Sequence, residues 1–338
     1  MIDQEVNLFV KKLCSHSKLG VMHKSPEPLT GGLLHKIFRV ETDRGKFAVK
    51  ILNPQIMNRP QARDSYIHSE MVASFLAEKL PALPAKVING TQLQKFEDQY
   101  FLVYDWIIGK TKPLSELNSN HARLIGSLLG EIHNSDIALC NIKMNIPQKH
   151  PAHKWNIYLQ KGKENHSAWT GLLAENSTSL YKWSAAAEKA APILSSDLVI
   201  SHRDLDPKNV MWNDSTPVII DWESAGFIHP MQDLLETALY WSVNDIGELQ
   251  EDSFSSFLKG YKSKGKELTA DWKSVLDAGY SAKLDWLEYN LKRSLWIECG
   301  DKEEQQLGTE QVYETIDELK RYEEQIPDLL KWLDVKFT

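Results

Sequence analysis

Apolar residues recur along this chain at two different spacings, and the change between them predicts its organisation. Residues 3–20 place Val6, Phe9, Val10 and Leu13 on one helical face, with Gly20 near the end. Period-two alternation over 37–42 predicts a strand, 43–46 (Asp-Arg-Gly-Lys) a turn, and 47–52 the returning strand. Ile67, Met71, Phe75 and Leu76 then fall at helical spacing within 64–76, and Pro81 and Pro84 close that helix. Residues 87–88 and 100–104 read as two more strands, with Asn89-Gly90 as a turn. From Ser115 onward the spacing is mostly helical. Leu124, Leu128, Leu129 and Ile132 make one stripe, and 179–194, 231–241, 247–264, 269–299 and 307–336 predict helices. Basic residues, His and Pro mark 141–165 as a loop or insertion. A hairpin interrupts the helices, with Val210-Met211-Trp212 and Pro217-Val218-Ile219-Ile220 joined through 213–215. The expected class is α+β: a small antiparallel-sheet lobe with one main helix over 1–108, then a larger, mostly helical lobe over 109–338.

Composition narrows the function. A chain of 338 residues suits one large or two moderate domains. No apolar run reaches the length of a membrane span, and the acidic, amphipathic start is unlike a signal peptide. Three distant cysteines, Cys14, Cys140 and Cys299, fit reduced thiols in the cytosol better than a disulfide frame or a zinc site, and the expected assembly is a monomer or homodimer. Of 39 basic and 46 acidic side chains, residues 222–338 hold 13 and 24, leaving 26 and 22 in residues 1–221. A mildly basic front suits a polyphosphate; an acidic back disfavours nucleic acid and fits a cationic small substrate. Acidic cover on exposed helices explains the same surplus equally well.

The chemistry concentrates in Ile200–Glu223, ISHRDLDPKNVMWNDSTPVIIDWE. A His-Arg-Asp triplet ends at Asp204, Asn209 lies five residues on, and Asp221 follows the apolar run. Phosphoryl transfer needs this set: one carboxylate to orient and accept a proton from the attacking hydroxyl, and an amide with a carboxylate to hold Mg²⁺ on nucleotide phosphates. Earlier in the chain, Lys50 ends the Phe-Ala-Val-Lys run, where kinases carry a phosphate-contacting strand lysine. Glu70, nearer the helix middle than Glu78, is its expected carboxylate partner. Gly31 and Gly32 at the hairpin entrance either admit a phosphate to backbone N–H groups or simply bend the chain. Residues 105–109 leave the sheet as an interdomain linker, an adenine-contacting segment, or both. His133 reads as a packed helix histidine. Glu288, Glu298, Asp301, Glu303 and Glu304 either line an amine-binding groove or stand solvated.

Together these residues separate the chain from protein kinases. There is no G-x-G-x-x-G, Asp221 is followed by Trp-Glu, no Ala-Pro-Glu follows, and only 12 positions separate Asp221 from Asp233. The chain instead resembles the aminoglycoside phosphotransferase / choline kinase family over roughly residues 20–300. The resemblance rests on Leu29-Thr30-Gly31-Gly32, Val49-Lys50, Leu129-Gly130-Glu131-Ile132-His133, His202-x-Asp204 with Asn209, Ile219-Ile220-Asp221-Trp222-Glu223 and Pro230-x-x-Asp233-Leu234. It implies a protein-kinase-like two-lobe fold, ATP and Mg²⁺ as cofactors, and a hydroxyl of a small molecule as acceptor. It implies Asp204 as the catalytic carboxylate, Asn209 and Asp221 as metal ligands, and Lys50 on phosphates. Backbone at Asp105 and Ile107 would meet adenine, while His202 and Asp233 would brace the loop. Two departures stand out. Many members carry Gly where this chain has Arg203, and His where it has Asp206. Asp206 either contacts a cationic substrate or turns the loop before Pro207. Glu223, where Gly is usual, is a candidate for metal or substrate. An aminoglycoside, choline or a related amino alcohol is the expected acceptor. A kinase for homoserine or a sugar, or an inactive nucleotide-binding member, is the alternative.

Overall fold

A computed structural model describes residues 4–29, 34–136 and 153–337, with side chains to residue 334. Gly31, Gly32 and Cys140 lie outside the described residues. Two compact units divide the described chain: 4–29, 34–116, 135–136 and 202–226 form the first, and 117–134, 153–201 and 227–337 the second.

The first unit is built on an antiparallel sheet with strand order β1-β2-β3-β5-β4. Its strands are β1 (Glu27–Leu29), β2 (Lys36–Thr42), β3 (Gly45–Ile51), β4 (Gln94–Phe96) and β5 (Gln99–Asp105). Alternation sorts the side chains to two faces. Phe38, Val40, Phe47, Val49, Phe101 and Val103 pack against Val10, Leu13 and Cys14 of α1 (Gln4–His16). On the other face Leu52 and Leu102 meet Tyr66 of α3 (Ala62–Leu76), with Ile56 of the short α2 (Pro54–Met57). Lys50 pairs in register with Leu102 on that second face, so the strand lysine emerges beneath α3. Residues 87–88 do not form the expected strand. Ile88 instead closes a small bridge with Thr91 around Asn89 and Gly90, both at positive φ, because the turn follows too soon for pairing to extend. The hairpin β7 (Val210–Asn213) with β8 (Thr216–Ile219) forms as expected. It is tied to the chain after α3 by Ile219 N–H donating to Pro81 O and Leu83 N–H to Ile219 O.

The second unit is helical apart from short strands, β6 (Val199–Ser201) pairing with β9 (Gly226–Ile228) at the unit's edge. Its central seam joins α4 (Ser119–His133) to α9 (Glu251–Lys262). The buried face of α4 is Ala122, Ile125, Gly126, Leu129, Gly130 and Ile132, while Leu124 is exposed, so the leucine stripe read from spacing is rotated. The cause is close packing through glycine: a Cβ on Gly126 would lie 2.2 Å from Phe257 O, and one on Gly260 2.0 Å from Arg123 O. The supposed loop 141–165 contains α5 (Trp155–Glu164), which buries Trp155, Tyr158 and Gly162; large aromatics three residues apart outweigh the polar composition. Helices α6 (Thr170–Glu175), α7 (Ser177–Ala190) and α8 (Pro230–Tyr240) follow. The segment 269–299 splits at Gly279 into α10 (Trp272–Ala278) and α11 (Tyr280–Ser294), and α12 (Lys302–Phe337) ends the unit. Cys14 and Cys299 are free thiols. No helix among the described residues is long and apolar enough to cross a membrane.

Candidate active site

Lys50 is the centre of a cluster within the first unit. Its Nζ donates to Asp221 Oδ1 at 2.7 Å and to Glu223 Oε2 at 2.5 Å. Burial works against the ammonium, but the two carboxylates outweigh it and hold Lys50 charged above its ordinary range. Burial likewise opposes the Glu223 carboxylate, and Lys50 and His35 overcome it, keeping Glu223 well below the usual range. Asp221 ends the apolar run at φ 61°, ψ 60°, a left-handed turn that leads into the one-turn 3-10 segment Trp222–Ser224. That turn presents Asp221 and Glu223 together to the lysine.

The expected Lys50–Glu70 pair is not formed. Glu70 is buried on α3, where Oε2 accepts Ala85 N–H at 2.6 Å and Oε1 accepts Tyr104 OH at 2.9 Å. Burial, only partly offset by those two donors, pushes its carboxyl up to about 7. Two residues that sequence reasoning passed over join the cluster instead. Tyr66 OH lies 3.2 Å and His35 Nε2 3.1 Å from Glu223 Oε2, and they are 2.7 Å from each other. The available signals were weak: His35 closely follows the glycine pair, and Tyr66 lies one helical turn before Glu70.

The loop 202–209 is held by its own side chains. His202 Nδ1 accepts Asp204 N–H at 3.3 Å, so Nε2–H donates to Ile220 O at 2.9 Å, and the ring sits edge-on to Trp222. Asn209 Nδ2 donates both to Asp204 O at 2.8 Å and to Asp204 Oδ2 at 2.9 Å. Ile220 N–H donates to Asn209 O, which brings the Asn beside the residue before Asp221. Burial pushes Asp204 up to about 6, with Lys208 pulling the other way. Lys208 Nζ stands 3.8 Å from Asp204 Oδ1 and 3.7 Å from Asp206 Oδ2. Asp206 Oδ1 caps the short turn Pro207–Asn209 by accepting Lys208 N–H, a loop-shaping contact. Arg203 stands at φ 64°, the conformation glycine adopts freely, which accounts for the Gly usual at this place in the resembling family.

The remaining expected residues fall at other places. Asp105 closes β5 and pairs with Lys86, and Ile107 lies in the irregular segment after it. Asp233 belongs to the second unit, where its Oδ2 accepts Ser201 Oγ at 2.6 Å and His133 Nε2–H at 2.9 Å. Glu288 takes His153 Nδ1 at 2.8 Å and Tyr158 OH, with Lys292 at 3.7 Å, so its charge is already matched within the second unit. The donor set near Lys50 suits Mg²⁺. Asn209 spends its amide N–H groups on Asp204, which leaves its side-chain oxygen, and a carboxylate oxygen of Asp221 would be a second hard ligand.

The sequence profile of the APH phosphotransferase enzyme family matches residues 25–268. No curated protein sequence matches the chain. Among solved structures, the spectinomycin phosphotransferase APH(9)-Ia, in complex with ADP and spectinomycin, superposes with TM-score 0.70 at 13% identity, covering 94% of this chain and 98% of that one. A choline/ethanolamine kinase family protein from Mesorhizobium loti gives TM-score 0.62 at 17% identity over 99% and 98%. The choline kinase LicA from Streptococcus pneumoniae gives 0.58 at 18% over 94% and 100%. These likenesses confirm the protein-kinase-like fold expected from the sequence.

Proposed function

The chain belongs to the phosphotransferase enzyme family, and from that premise we propose that it transfers the γ-phosphoryl group of ATP to a hydroxyl of a small cationic molecule, such as an aminoglycoside, choline or a related amino alcohol. The observation that carries the reading is the juxtaposition of Asp204, fixed by Asn209, with the Lys50–Asp221 pair. Asn209 engages Asp204 Oδ2 and leaves Oδ1 to orient the acceptor hydroxyl and take its proton. Lys50 spends two N–H groups on Asp221 and Glu223; its third N–H meets a phosphate oxygen. Asn209 and Asp221 hold Mg²⁺, which when bound neutralises charge on the phosphates. Backbone at Asp105 and Ile107 receives the adenine. ADP held by a structural relative supports nucleotide use. The acidic surplus of residues 222–338 supports a cationic acceptor. Because catalysis here is positioning with little covalent work by the protein, the acceptor must bind in line with the phosphoryl group. A panel of aminoglycosides, choline, ethanolamine, sugars and amino acids with Mg-ATP, read as ADP release, tests the proposal. Turnover confined to neutral acceptors would defeat the cationic assignment, and no turnover with any acceptor would defeat the reaction itself.

A further inference from the structure

Lys50 pairs with two carboxylates on the turn after β8, and one of them, Glu223, lies beside two side chains from outside the loop 202–209. We infer that Glu223 anchors Lys50 in place of the helix glutamate Glu70, and that His35 and Tyr66 are positioning residues for that anchor. The inference rests on the nucleotide reading above. Each oxygen of Glu70 is engaged, by Ala85 N–H and by Tyr104 OH, and the ion pairs of Lys50 go to Asp221 and Glu223. Glu223 Oε2 instead receives Lys50 at 2.5 Å, His35 at 3.1 Å and Tyr66 at 3.2 Å.

The direction of these bonds follows from one backbone contact. Asn53 N–H donates to His35 Nδ1 at 3.0 Å, so that nitrogen carries no proton and Nε2 carries one. Nε2–H then donates to Tyr66 Oη at 2.7 Å, with Glu223 Oε2 3.1 Å away. Tyr66, kept protonated by burial above all, passes its own O–H to Glu223. Lys50 and the Tyr66 hydroxyl donate to one carboxylate oxygen while His35 Nε2–H donates to Tyr66 Oη, a chain in which each bond polarises the next. The ring of His35 is fixed because Asn53 also caps α2 through its side chain, which accepts Gln55 N–H. The lysine is thereby referenced to the turn that carries Asp221 rather than to a carboxylate on α3, and α3 acts on it only through the Tyr66 hydroxyl.

Binding of ADP and of GDP, measured by calorimetry in the presence of a chelator so that the lysine rather than a cation is read, tests this. Tyr66→Phe and His35→Leu should each raise Kd by about tenfold, the worth of a hydrogen bond to a charged group. His35→Gln, whose amide N–H replaces Nε2–H, should return Kd to within about threefold of wild type. Lys50→Met with Glu223→Gln should be strongly non-additive, and Lys50→Met with Glu70→Gln additive. The inference is overturned if the non-additivity lies with Glu70, or if Tyr66→Phe, which deletes one oxygen, binds as wild type. A wild-type chain that binds neither nucleotide defeats the proposed function, and this inference with it.

Discussion

Two carboxylate networks of this chain use the same groups for opposite ends. In the second unit Tyr261 OH meets His133 Nδ1 at 2.9 Å, His133 Nε2 meets Asp233 at 2.9 Å, and Ser201 Oγ meets the same oxygen. The side chains of His133 and Asp233 are 0% and 2% exposed, and none of these four residues has positive φ. In the first unit Asp204, Asp221 and Glu223 keep 35%, 32% and 20% exposure, and both Arg203 and Asp221 stand in left-handed backbone. A network closed on itself spends all its polarity on the fold. A network left partly open, on strained backbone, retains unsatisfied oxygens for a ligand. Asp233 also lies in the first turn of α8, where the helix dipole favours its charge without exposing it.

The comparison breaks most sharply at its two aspartates. Asp204→Asn should lower the phosphoryl-transfer rate by about 10²-fold or more, as for loss of a positioned base. Its melting temperature should hold or rise, since burial disfavours the charge it removes. Asp233→Ala should do the reverse, costing on the order of 3 kcal/mol by stranding His133 and Ser201 in a buried site. Steady-state rates with thermal melts on both variants decide the matter. Equal loss of stability in the two would erase the distinction between open and closed networks.

Much of this division was legible in the sequence, for a physical reason. Strand alternation and the spacing of Asp204, Asn209 and Asp221 are local, and the loop 202–209 is held by bonds spanning two to five residues. Asp233, which the resemblance assigns as a brace for the loop, bonds Ser201 and His133 in the second unit. What escaped depends on tertiary approach. The partner of Lys50 lies 171 to 173 positions away, and nothing near Glu70 reveals that Ala85 N–H and Tyr104 OH will claim it. Leu129 and Ile132 of the stripe on α4 are buried as the spacing implied, but Leu124 is exposed because glycines set the close contact with α9. The helix α5 was obscured by the basic, His- and Pro-containing stretch around it, although Trp155 and Tyr158 read as core aromatics near helical patterns and are buried.

Glu70 supplies the next contrast, a carboxylate in the first unit that behaves like the closed network. Its carboxyl is raised from 4.5 in the unfolded reference to about 7 in the fold, chiefly by burial. Between those values the folded chain holds a proton that the unfolded chain has released. Its contribution to stability is therefore full below 4.5, falls as pH rises, and levels off above about 7. Urea melts from pH 5 to pH 8 should show that decline in the wild type and less of it in Glu70→Gln. Identical slopes would mean that Glu70 is ionised in the fold throughout, and would return it to the set of charged carboxylates around Lys50.

The smallest expected effect tests whether the open region really carries backbone strain. Arg203 is exposed and holds φ 64° between the buried His202 and the half-buried Asp204. An L-residue there costs about 1 kcal/mol that glycine does not bear. Replacement by glycine also loosens the unfolded chain, which takes back roughly 0.4–1 kcal/mol. Arg203→Ala removes the side chain but keeps the Cβ, so the glycine–alanine difference isolates the backbone. If strain is present, Arg203→Gly should match or exceed Arg203→Ala in denaturant melts, the reverse of the order at an unstrained site, where alanine gains from the unfolded-state term. Alanine clearly above glycine would place Arg203 in relaxed backbone, and the contrast between the two networks would then rest on exposure alone.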